Sequence, residues 1–157
     1  MSYDLMVFEP GSAPKTHTAF IAWYHEQTKW KEGHSYADPA ISSRRLQALF
    51  SEVRPYFPSE DGPFDDRNLP SGDRSISAHT FGHHFMYAEF AWSRAIIATE
   101  KLKHLACAHG LGLFETSSEG TEVWLPGEHG ELKLMPDESP PSLRARLLRW
   151  LGIADPT

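Results

Sequence analysis

The sequence predicts an α+β fold, an antiparallel or mixed sheet with helices packed on one face and an amphipathic helix at the C-terminal end. Three observations lead there. Short apolar runs of strand length, at residues 3–8 and 85–90, alternate with longer stretches of helical period, above all 92–109. Glycine and proline clusters fall where the period changes. The 157 residues are 40% hydrophobic and 12% aromatic, enough for one domain to bury a core.

The elements follow in order. In residues 3–8, Leu5 and Val7 alternate with Met6 and Phe8, the nearly continuous apolar run of a central strand covered on both faces; Pro10, Gly11 and Pro14 end it. From about Thr16, Phe20, Trp23, Tyr24 and Trp30 follow helical spacing along one face, and Gly33 closes that helix. Asp38-Pro39 marks a turn. A second helix starts at Ser42 or Ser43, with Leu46, Leu49, Phe50 and Val53 on one side and Arg44, Arg45 and Glu52 on the other. Pro55 and Pro58 stop it. Residues 58–73 read as a long acidic loop carrying Glu60, Asp61, Asp65, Asp66 and Asp73.

Strands at 75–81 and 85–90 flank Gly82-His83-His84. The helix at 92–109 repeats Ala95, Ile96, Thr99, Leu102, Ala106 and Cys107, and Gly110 stands where a left-handed cap is wanted. Residues 111–116 and 122–125 form a closing hairpin. The resulting order, β-α-α-β-β-α-β-β, is related to the ferredoxin-like type. Residues 1–127 are read as the core domain and 128–157 as a linker followed by a helix. That helix would open at Ser139-Pro140 and set Leu143, Leu147, Trp150 and Leu151 opposite Arg144, Arg146 and Arg149. It would serve a monomer or a homodimer equally.

The net charge of −6 disfavours phosphate backbones, so nucleic acid is not an expected partner. It suits a basic protein surface instead. The start MSYDLMVFEP lacks a signal peptide's charged and apolar regions, and no apolar run reaches bilayer length. The single cysteine, Cys107, cannot form an internal disulfide. A cytoplasmic protein without a membrane partner is expected.

Candidate chemistry centres on His79, His83 and His84. Adjacent histidines on a strand point to opposite faces, so His83 and His84 do not share a metal in regular geometry, whereas His79 and His83 would meet across Gly82. No HExxH or CxxC spacing accompanies them, and surface histidines at a hairpin end are the simpler reading. Ser93 lacks the flanking glycines of a nucleophile elbow and reads as a helix N-cap. Glu89 reads as a solvated strand residue. Trp30, His34 and Tyr36 lie in a turn, where aromatic side chains either anchor a partner or pack on the sheet edge.

Several stretches together, MSYDLMVFEP, AWYHEQTKW followed by SYADP, YAEFAWS, and HGLGLFETSS with EVWLPG, resemble a family of small bacterial proteins. Its pattern is an MSYDL opening, a WYxxQTxW helix, an FAWS junction and a hairpin closing on WxP. The resemblance covers about residues 1–127 and implies immunity proteins of polymorphic toxin systems, which neutralise a sister cell's effector in interbacterial competition. His79–His84 and the tail from Glu128 fall outside the pattern.

The expected function is therefore an immunity protein that binds a cognate toxin domain, for instance a nuclease, and blocks its active site. The expected partner surface comprises Trp30, His34, Tyr36, Glu60, Asp61, Asp65, Asp66, Asp73, His83 and His84. No catalytic residue, metal or cofactor is expected. The alternatives are a small metal-dependent enzyme using His79, His83 and a carboxylate such as Glu89, and an effector-binding adaptor or chaperone.

Overall fold

The computed structural model describes residues 2–59, 63, 75–118 and 121–136. The acidic residues Glu60, Asp61, Asp65, Asp66 and Asp73 and the C-terminal helix expected after residue 139 lie outside the described residues.

The fold is α+β. Six strands, β1 (Ser2–Phe8), β2 (Ala78–Phe81), β3 (Phe85–Ala91), β4 (Gly112–Glu115), β5 (Val123–Pro126) and β6 (Leu132–Leu134), form one sheet in the order β2-β3-β1-β4-β5-β6. Every neighbouring pair is antiparallel, with Leu5 opposite Ala88 on one side and Glu115 on the other. The first four strands lie in the ferredoxin-like order: β1 and β2 run parallel with β3 between them, and β3 and β4 run parallel with β1 between them. Helices α1 (His17–Gln27) and α2 (Arg44–Val53) make the first crossover, and α3 (Ala95–His109) makes the second.

The helices are not all on one face. Leu5 and Val7 of β1 belong to the core that holds Leu46, Leu49, Phe50 and Val53 of α2 and Ala98, Leu102, Leu105 and Ala106 of α3. Met6 and Phe8, pointing the other way, meet Phe20 of α1 together with Phe114, Val123 and Met135. The sheet is thus covered on both sides, which is why β1 carries four consecutive fully buried apolar residues.

Local chemistry sets the helix ends. Ser43 caps α2, its Oγ accepting from the Leu46 amide at 3.3 Å. Gly110 ends α3 at φ 63°, where the left-handed backbone lets the Leu111 amide reach the Ala106 carbonyl at 2.8 Å. Helix α1 stops earlier than the spacing suggests. The Thr28 hydroxyl donates to the Tyr24 carbonyl at 3.1 Å, and the Trp30 amide tightens onto the Gln27 carbonyl. Trp30 therefore leaves the helical face.

Three further readings are corrected. Ser93 lies inside a short 3-10 turn, Trp92–Arg94, and Arg94 occupies the cap position of α3 without a side-chain bond. Ile96 is 81% exposed because Ala98, Thr99 and Leu102 set the buried stripe. The sheet does not stop at residue 127: Leu132, Lys133 and Leu134 pair with Pro126, Leu125 and Trp124, and Met135 enters the core. Among the described residues, no helix is long and apolar enough to cross a membrane.

Candidate functional site

Where α1 unwinds, the chain takes two non-glycine residues into the left-handed region, Trp30 at φ 53° and Tyr36 at φ 59°, with Gly33 at φ 81° between them. Such a backbone persists only where its surroundings over-determine it. Here they do. The Tyr36 carbonyl accepts from the Phe81 amide at 2.8 Å, fastening the loop to the end of β2. The Tyr36 hydroxyl accepts from the Glu32 amide within the loop. The Trp30 ring meets Tyr36 edge-on at 5.4 Å and Tyr87 at 6.1 Å, and is tilted against Phe85 at 6.1 Å. Trp30 is nonetheless 41% exposed.

The hairpin turn Gly82-His83-His84 is bolted to the same region. Ser42 donates to the Gly82 carbonyl at 2.6 Å, the Ser43 amide to the His83 carbonyl at 3.2 Å, and the Glu9 amide to the His84 carbonyl at 2.9 Å. Glycine is needed at position 82 for space, since a Cβ there would lie 2.1 Å from the Phe85 ring. Beneath the turn, the buried Glu9 carboxylate accepts from Ser43 and Arg45, and Arg45 also reaches the Gly110 carbonyl at 3.1 Å.

Glu32 joins the loop to the turn. One of its oxygens, Oε2, accepts from His34 Nε2 at 2.7 Å, His83 Nδ1 at 2.7 Å and the His83 amide at 2.9 Å. Burial alone would raise this carboxyl, but the bonds from His34 and His83 prevail and hold it below the usual carboxylate range. The tautomers follow. His34 Nδ1 accepts from the Tyr36 amide at 3.1 Å, so its proton sits on Nε2. His83 carries its proton on Nδ1, because an ionised carboxylate only accepts. Replacing Glu32 by alanine should strand these donors and cost about 2 kcal/mol in urea unfolding; an unchanged midpoint would show that the clamp does not hold the loop.

Four of the sequence-predicted residues, Trp30, His34, Tyr36 and His83, thus come together, with the His34 ring 4.1 Å from Tyr36 and 5.1 Å from His83. His84 is exposed beside them. Glu32 was missed, although Gly33 between an acid and a histidine is the signal that would have found it. His79 is not part of the site. It is 3% exposed, packed edge-on against Phe50 at 5.1 Å and among Phe81 and Phe90, so it cannot meet His83 across the turn. Glu89 is exposed on the far stretch of β3. Cys107 is half-buried and donates to the Gly130 carbonyl at 2.6 Å. Among the described residues, the side chains placed to hold a cation are Glu32, His34 and His83, whose ligand atoms all lie within 4.8 Å of one another.

Comparison of the chain with family models, with curated proteins and with solved structures found no match.

Proposed function

We propose that the protein works in the cytoplasm as an immunity protein, binding a cognate toxin domain and blocking its active site. The observation that carries this reading is Trp30. A large aromatic ring stands exposed on a strained backbone that contacts from the loop and from β2 and β3 hold in place. Fixed aromatic side chains lose little entropy on binding and dominate interface energies. From Tyr36, which touches its ring, a chain of ring contacts runs through His34 and His83 to His84 and extends the surface with polar groups. The acidic residues Glu60, Asp61, Asp65, Asp66 and Asp73 would match a basic substrate cleft, such as that of a nuclease, by standing where phosphates bind.

The test is co-expression with the product of the adjacent gene, scoring growth rescue and co-purification. Rescue with a stable complex is expected. Trp30→Ala should weaken that complex by about 2 kcal/mol, roughly thirtyfold. Asp65→Lys with Asp66→Lys should weaken it and flatten its salt dependence. Rescue without a complex, or an affinity indifferent to Trp30, would defeat the reading.

A further inference from the structure

We propose that Glu32, His34 and His83 form a binding site for a first-row divalent cation of the zinc class, bridging the α1–α2 loop and the β2–β3 turn. Two imidazoles and a carboxylate are the ligand set that zinc takes when it keeps a fourth position open. The three come from segments about fifty residues apart, yet both histidine nitrogens already converge on one carboxylate oxygen at 2.7 Å. In a tetrahedral site with bonds near 2 Å, ligand atoms stand about 3.3 Å apart. Each contact therefore needs to open by about 0.6 Å, and the ligand atoms of all three side chains already lie within 4.8 Å of one another. The His83 side chain is 53% exposed, which leaves the fourth position open to water or to a ligand from a partner.

The proton balance gives the site a consequence. In the metal-free protein the two ring protons point at Glu32. On binding, the cation takes the His34 Nε2 and His83 Nδ1 lone pairs, and each neutral imidazole carries its one proton on the other nitrogen instead, so neither ring releases a net proton to solvent. For His83 that nitrogen is Nε2, on a side chain that is 53% exposed. For His34 it is Nδ1, which now accepts from the Tyr36 amide. Two N–H groups cannot face each other, so the Tyr36 amide must turn away. Tyr36 sits at φ 59° and touches the Trp30 ring. Cation binding is thereby coupled to the position of the exposed tryptophan. The site itself does not depend on the immunity reading, because it rests on the cluster alone.

The experiment is titration of the full-length, chelator-stripped protein with zinc sulfate, read by calorimetry and by tryptophan fluorescence. One ion per chain is expected, with a fluorescence change that disappears in Trp30→Phe. His83→Ala alters an exposed turn side chain and should weaken binding at least tenfold, whereas His84→Ala should leave it unchanged. Glu32→Gln provides a second variant that keeps the side-chain size and should weaken binding likewise. Absence of saturable binding, or binding that His83→Ala and Glu32→Gln leave intact, would overturn the proposal and leave the cluster as a hydrogen-bonded clamp.

Discussion

Phe8→Ala is expected to destabilise the protein by about 3–5 kcal/mol, the range for removing a fully buried phenylalanine. Phe8 lies on the central strand with no exposed surface, and its ring packs on Phe20 at 4.8 Å and Trp23 at 5.9 Å. It is also the joint between α1 and the sheet, so its loss leaves a void that neither side can close alone. The same ring explains Gly112. That residue pairs with Phe8 across β1 and β4, and a Cβ there would fall 2.3 Å from the Phe8 ring. Gly112→Ala should therefore cost about 1–3 kcal/mol by overpacking. Placed on the Phe8→Ala background, however, the added methyl enters the void and should cost far less. A double-mutant cycle in urea measures this directly, and additive effects would show that the ring does not lie over Gly112.

Much of this architecture was legible in the chain because it is written in local periods. The unbroken run Leu5-Met6-Val7-Phe8 announces a strand covered on both faces, and the structure covers both. Leu46, Leu49, Phe50 and Val53 follow a cap and face the core as the spacing demands. What the period cannot tell is which side of the sheet an amphipathic helix will choose. Phe20, Trp23 and Tyr24 define the apolar face of α1, but only the register of Phe8 and Phe114 sends that face away from α2 and α3. Strand β6 was missed for a different reason. Three residues between Gly130 and Pro136 carry no period, and they become a strand only because Trp124, Leu125 and Pro126 offer an edge.

The site was half legible by the same logic. Trp30 stands seven residues after Trp23, two helical turns, and so reads as part of the helix. Thr28 and the tightened last turn remove it from that face and expose it. The bond between Glu32 and His83 spans 51 positions and leaves no trace in local spacing. His79, by contrast, could have been placed. It is two residues from Phe81 on the same strand, and a period of two puts both on the core face.

That placement makes His79 the group through which acid should act on the fold. Burial is the main cause that lowers its pKa from 6.5 to about 4, against a weaker opposite effect of a hydrogen bond with Ser77. Its Nδ1 has no hydrogen-bond partner, and its Nε2 lies 3.4 Å from the Ser77 hydroxyl. The neutral ring is tolerated among Phe50, Phe81 and Phe90; the charged ring is not. Because the folded pKa lies below the unfolded one, the unfolded chain binds the extra proton between them. Stability is then full above pH 6.5, falls by up to one proton's slope as the pH drops, and levels off near pH 4. The drop should amount to about 3 kcal/mol across that window. His79→Leu removes the proton site and its orphaned nitrogen together, so it should be close to neutral at pH 7.5 and progressively more stable than the wild type below pH 6. Urea midpoints for both proteins at half-unit steps from pH 7.5 to 4.5 measure the difference. Parallel curves would mean that the ring escapes the core when it charges, and that the acid sensitivity of this fold lies with its carboxylates instead.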